Sequence, residues 1–199
     1  MILAALFALV IGVLCGAFWL PDVWAMQVAQ GADWVLYALM ISVGISIGAN
    51  REMLRRLREY RVRVLVIPLG VVIGSLLAGA AIAPLTGDSV RQGMAVTAGM
   101  GWYSLGGIMV TELLGAQAGT IAFLSNLLRE LLAFVLIPML MKKTGAYTAI
   151  AAAGATSEDT TLPVMIRYGG EEVALISVLN GMLVSAAVPI CINLVCQGF

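Results

Sequence analysis

The 199-residue sequence contains no histidine. That absence excludes a Ser-His-Asp triad, a Cys-His dyad, an HExxH zinc site and a histidine proton relay, all of which need imidazole. Cysteine is scarce as well. Cys15, Cys191 and Cys196 lie in apolar runs without CxxC spacing, so free buried thiols are expected rather than a disulfide or metal framework, and no cofactor motif accompanies them. Charge is the third shortage: Asp, Glu, Lys and Arg make up 11% of the chain and the net charge is zero. The overall balance therefore gives no argument for a nucleic-acid partner.

Apolar residues are abundant instead, at 61%, with a mean hydropathy of +1.02. This composition describes an all-α polytopic membrane protein, a single membrane domain over residues 1–199 in contact with the lipid bilayer. A span needs about 20 apolar residues. The runs Met1–Leu20, Trp34–Gly48, Val64–Leu85, Ala118–Met141 and Val173–Cys196 meet or approach that length, giving about five transmembrane helices. Met1–Leu20 lacks the basic n-region and cleavage site of a signal peptide, so it is read as a span.

Topology follows from where the charges sit. Residues 51–63 carry six arginines against Glu52 and Glu59, and short basic loops stay cytoplasmic. An anionic-lipid or nucleic-acid patch is a secondary reading of the same run. The first exterior turn then holds Asp22 and Asp33, which places the N-terminus inside and the C-terminus outside.

Two stretches make poor continuous helices. Gly93–Gly107 is dense in glycine, and each interior Gly costs nearly 1 kcal/mol relative to Ala. Thr144–Pro163 holds the polar run Thr156-Ser157-Glu158-Asp159-Thr160-Thr161, too polar to face lipid. Irregular backbone at membrane depth is tolerated where it lines a cavity or is buried in protein. Both are therefore expected to be re-entrant or broken helical segments. A re-entrant first segment also leaves Lys142 and Lys143 cytoplasmic, and the two segments then enter from opposite sides, a pattern of many secondary transporters.

Between them lies Ser125-Asn126-Leu127-Leu128-Arg129-Glu130, which puts two ionisable groups deep in a span. A charge at the bilayer centre costs at least about 2.5–3.5 kcal/mol, so such groups face a cavity or a partner. On a helix Asn126 and Glu130 share one face, and Ser125 and Arg129 share the next. Adjacent residues point in different directions, so Arg129 and Glu130 make a poor mutual pair.

Three motifs, Gly99-Met100-Gly101-Trp102-Tyr103-Ser104-Leu105, Arg129-Glu130-Leu131 and Gly154-Ala155-Thr156-Ser157-Glu158-Asp159-Thr160-Thr161-Leu162-Pro163, resemble in order and spacing the LysO family of bacterial lysine exporters. The resemblance covers essentially the whole chain. It implies a secondary transporter of the bacterial inner membrane that exports L-lysine and close analogues by antiport against protons, and not an enzyme. The family's single-chain members carry a further N-terminal third, and use two membrane-embedded acids, one of which matches Glu130. The resemblance thus implies a partner for this chain, either a small membrane subunit that supplies the missing third or a second copy as a homodimer. Glu158 departs from the family pattern, which has an apolar residue such as Met there.

Lysine carries two ammonium groups and one carboxylate, so its site needs acids for the cationic ends and donors for the carboxylate. Glu130 is the first choice for a cation or proton. Asp159, Arg129, Asn126, Ser104, Trp102, Tyr103, Thr156, Ser157, Glu158 and Thr160 are further candidate substrate- or proton-binding residues. For several a plainer role competes: Asp159, Ser157 and Thr156 can cap half-helices, and Trp102 and Tyr103 can simply pack. An intramembrane protease fits poorly, since no His serves a serine and Asp159 lacks a facing second Asp. A non-transporting assembly subunit that needs a small partner for activity is the remaining alternative.

Overall fold

Helix propensity, caps and left-handed residues divide residues 63–197 into six helices. The computed structural model describes residues 63–198 without interruption and isolated positions between 7 and 45. The expected spans Met1–Leu20 and Trp34–Gly48, the acidic turn between them and the basic run before residue 63 lie outside the described residues, those isolated positions apart. The chain divides into two compact units, Met1–Met40 and Ile41–Phe199. In the first, Ile11, Leu14, Cys15, Phe18 and Trp19 line one apolar recess. All six helices belong to the second.

Helix α1 is Arg63–Thr86, α2 Val90–Thr97, α3 Tyr103–Leu114, α4 Ala116–Lys143, α5 Ala146–Ala153 and α6 Leu162–Gln197, with a 3-10 turn over Gly154–Glu158. Among the described residues there are no strands. The protein is all-α, and α1 from Leu65, α4 and α6 are long and apolar enough to cross a membrane. Leucines and isoleucines on their outer faces, such as Leu69, Ile73, Leu128 and Leu132, are more than half exposed, as expected where lipid is the solvent.

A capping box starts α2. The Ser89 side chain accepts from the Gln92 backbone N–H, and the Gln92 side chain accepts from the Ser89 N–H, satisfying two orphan donors at once. The helix ends where Met100 and Gly101 both take positive φ, 49° and 103°. α3 then runs back. Gly87, Asp88 and Gln92 at the start of α2 share a recess with Leu114 at the end of α3 and with Gln117 and Ala118 at the start of α4, so this hairpin enters and leaves at the N-terminal end of α4.

α6 holds a second reversal. Gly170, at φ 77° and ψ −172°, interrupts its helical backbone. In an unbroken helix residues 162 and 181 would lie about 28 Å apart, yet four residues from 158 to 162 reach at most about 14 Å, and a Cβ on Gly181 would lie 2.5 Å from the Glu158 Cβ. The chain must fold back at Gly170. Residues 162–169 thus form a short arm antiparallel to α5, and residues 171–197 form a long arm. The helical backbone resumes at Leu162, so the long arm begins close to the expected Val173 and the short arm joins the polar turn. Met165, Ile176, Ile137, Ile150 and Ala133 pack in one buried cluster, which ties this second hairpin to the C-terminal half of α4.

The long arm ends at the opposite end of α4. There the Arg91 guanidinium donates to the Cys196 carbonyl, beside the start of the first hairpin. Among the described residues the unit is therefore three long elements, α1, α4 and the long arm of α6, with a short helical hairpin pushed in from each end.

Candidate functional site

The two hairpin tips meet beside the middle of α4. The Ala155 N–H donates to the Met100 carbonyl at 3.0 Å, joining the two breaks directly. Gly154, at φ +63°, permits this crossing: a Cβ there would strike the Met100 carbonyl oxygen and lie 2.9 Å from Arg129 Nη2. Gly101 lies over Ala153 and Thr156 of the other tip.

Asn126 closes the first break. Its Oδ1 accepts the Gly101 N–H at 2.8 Å, and its Nδ2 donates to the Val96 carbonyl at 2.9 Å and the Ala122 carbonyl at 2.8 Å. The amide thereby satisfies the last turn of α2 and the start of the reversal. Gly99 is needed for its approach, since a Cβ there would lie 2.6 Å from Asn126 Nδ2.

Ser157, Ser177 and Asn180 close the second break. The Ser157 hydroxyl donates to the Ser177 carbonyl at 2.8 Å and the Ser177 hydroxyl to the Ser157 carbonyl at 2.7 Å. Asn180 Nδ2 donates to the Gly154 carbonyl at 3.1 Å and the Ser157 hydroxyl at 3.0 Å. Thr156 turns inward: its hydroxyl donates to the Ala153 carbonyl and its own carbonyl accepts from Thr161. Ser157 and Thr156 thus spend their side chains on freed backbone.

Glu130 is different. It is 0% exposed, and among the described residues neither carboxylate oxygen has a hydrogen-bond partner. Thr160 stands beside it without closing a hydrogen bond of good geometry, and Asp159 and Tyr103 lie within electrostatic reach. Asp159 is exposed; its Oδ1 accepts from the Thr160 hydroxyl at 3.2 Å and from the Thr160 backbone N–H. Tyr103 stacks edge-on against Phe123 at 5.3 Å. The N-terminal ends of α3 and α6 both point here, so their positive dipole ends face the two carboxylates. Glu130, Asp159, Thr160 and Tyr103 form one acidic compartment.

Arg129 faces the other way. Its Nη1 donates to the Ser75 hydroxyl at 2.8 Å and its Nη2 to the Ala151 carbonyl at 3.4 Å, in the last turn of α5. It lines a crevice of about 450 Å³ with Ser75, Thr97, Ser125, Asn126 and Thr148. Arg129 and Glu130, neighbours in sequence, thus lie in different compartments on the two sides of the crossing. Glu158 turns towards α6, where the Ser185 hydroxyl donates to its Oε1 at 2.7 Å. Trp102 and Ser104 are half-buried at the start of α3, and among the described residues no hydrogen bond draws their side chains into either compartment.

The profile of a family described as "Lysine exporter LysO" matches residues 6–196. The chain belongs to the LysO family of lysine exporters. A lysine exporter LysO from Escherichia coli (strain K12) is 36% identical over 163 residues, covering 82% of this chain and 54% of that protein. A putative lysine exporter from Haemophilus influenzae is 34% identical over 190 residues, covering 92% of each. The chain thus spans about half the length of the Escherichia coli relative and nearly all of the Haemophilus one. No solved structure matches it. For this LysO-family chain, Asn180, Ser177, Ser185 and Ser75 are the site residues that sequence reasoning missed. A signal was present for three of them: Ser177, Asn180 or Gly181, and Ser185 recur at helical spacing on one face of an otherwise apolar span.

Proposed function

We propose that this chain is the membrane-embedded core of an exporter of L-lysine and close cationic analogues, working across the bacterial inner membrane by exchange for protons. The observation that carries the reading is Glu130, a fully buried carboxylate with both oxygens unpartnered among the described residues, at the crossing of two broken hairpins. A bare buried carboxylate is costly, so the compartment favours states in which Glu130 holds an ammonium group or a proton. The two compete for the same oxygens. Arrival of a substrate ammonium displaces the proton, and protonation releases the ammonium; competition of that kind is the physical basis of exchange. Asp159 and Thr160 add a second acid and a hydroxyl at the compartment's exposed edge, where a substrate cation first meets the site.

In this reading the hairpin α2–α3 enters from outside and the hairpin of α5 with residues 162–169 enters from the cytoplasm. Lys142 and Lys143, exposed at the end of α4, are then cytoplasmic, the N-terminus is inside and the C-terminus outside. A small membrane polypeptide or a second copy of the chain supplies a further embedded acid.

Flux of labelled L-lysine in proteoliposomes tests this, with the chain alone and with a small membrane polypeptide co-purified with it. Lysine efflux driven by an imposed proton gradient, reduced to background by Glu130→Gln in a variant that inserts and purifies normally, is the expected result. Wild-type flux in that variant removes Glu130 from the mechanism. No flux from folded protein in either preparation leaves the non-transporting assembly subunit as the better account.

A further inference from the structure

We propose that the Arg129 crevice is the subsite for the α-carboxylate of the transported amino acid, separate from the acidic compartment that takes its side-chain ammonium group. The proposal rests on the exporter reading and adds to it the part of the substrate that Glu130 cannot recognise. A guanidinium has five N–H donors; Arg129 uses one on Ser75 and one on Ala151, so about three are left for a ligand. No carboxylate among the described residues pairs with it: Glu130 lies in the other compartment, Glu158 is bonded to Ser185, and Asp159 sits against Thr160.

A half-buried guanidinium beside an apolar helix bundle calls for a counter-charge, because burying a charge without one is expensive. Among the described residues the crevice supplies hydroxyls from Ser75, Thr97, Ser125 and Thr148 but no anion. Its volume of about 450 Å³ suits a small ligand. Arg129 is also held in place by Ser75 and by the carbonyl end of α5, so its fork is oriented before a ligand arrives, which favours bidentate recognition of a carboxylate. Gly70 and Gly74 on α1 line this crevice, with nothing among the described residues within 4 Å of a Cβ on either.

Binding of L-lysine and of 1,5-diaminopentane, which is lysine without its carboxylate, separates this proposal from the exporter reading. Wild-type protein in vesicles is expected to bind lysine about ten- to a hundredfold more tightly than the diamine, the scale of a charge-assisted pair. Arg129→Gln is expected to bring the ratio near one by weakening lysine alone, with Arg129→Lys in between. A ratio unchanged in Arg129→Gln overturns the proposal while leaving lysine transport standing, and so does a variant that alters only the dependence on anionic lipid, because the crevice then serves a headgroup phosphate. If Arg129→Gln does not fold, Gly74→Leu fills the crevice without touching the arginine. Loss of the lysine preference there supports the assignment, and its retention overturns it. No lysine binding by the wild type overturns both readings together.

Discussion

Asn126→Ala is the most direct test of how a helix can be broken at membrane depth. The substitution removes the acceptor for the Gly101 N–H at 2.8 Å and the donor to the Val96 carbonyl at 2.9 Å. The Ala122 carbonyl keeps its place in α4 and loses little. Two backbone groups are thus orphaned in a site where Gly101, Ala98 and Gly99 are buried. Each orphan costs about 1–3 kcal/mol when no water reaches it, while hydrogen bonds measured inside membranes average nearer 0.6 kcal/mol because the reference state finds partners too. Taking a value between these, the loss is about 2 kcal/mol, or about 4–8 °C in melting temperature for a chain of this size. Thermal unfolding in detergent reads the total, and hydrogen exchange at the Gly101 amide reads the local opening. Asn126→Asp keeps the acceptor and loses the donor, so Gly101 should stay better protected in it than in Asn126→Ala. A melting temperature within about a degree of wild type, with Gly101 still protected, would mean the reversal holds itself and the amide is incidental.

Other substitutions probe the remaining joints. Gly154→Ala combines a φ of +63° with a Cβ directed at the Met100 carbonyl, so it should lose most folded protein in a detergent gel-filtration assay, whereas Gly74→Ala, facing open space among the described residues, should elute as wild type. Gly181→Val should displace the 3-10 turn, because even a methyl group meets the Glu158 backbone N at 2.6 Å; limited proteolysis between residues 154 and 162 would report it, and an unchanged pattern would argue against the close approach. Ser157→Ala and Ser177→Ala each remove one arm of a reciprocal pair, at about 1 kcal/mol apiece. Their double variant should cost close to the sum of the two, since each hydroxyl makes its own bond to the other residue's carbonyl. A cysteine at Lys143, the native cysteines replaced, should react with an impermeant maleimide from the cytoplasm; labelling only from outside would reverse the proposed topology.

Glycine illustrates why pattern alone reaches only so far. Its density over 93–107 marks a place where helix is costly, but not which residue turns. The reversal uses Met100 as well as Gly101 at positive φ. Gly99 serves another purpose, making room for an amide from α4, and Gly79 and Gly93 let α1 and α2 approach until a Cβ on either would strike the other's carbonyl. One residue type thus meets three different demands, and composition cannot tell them apart. The same holds for the hydroxyls. Ser157 and Thr156 are held by backbone, while Ser125 and Thr148 face the crevice, although Thr148, Thr156 and Ser157 all occur in small-residue surroundings.

By itself the sequence determined the class and the family. A chain that is 61% apolar and 11% charged reads as a membrane protein, and two long motifs with Arg129-Glu130-Leu131 between them match one exporter family. Periodicity also separated Arg129 from Glu130, because consecutive side chains on a helix diverge by about 100° whatever surrounds them. Only the tertiary structure decided what each then meets. Whether a buried carboxylate is paired or bare depends on residues 29 and 30 positions away, Asp159 and Thr160, and on Asn180 and Ser177 drawing the second tip against α6. Those partners are brought in by the fold-back at Gly170 and the crossing of Met100 with Ala155. Such long-range closures rest on a few backbone dihedrals and single hydrogen bonds, which leave almost no periodic trace in the order of residues.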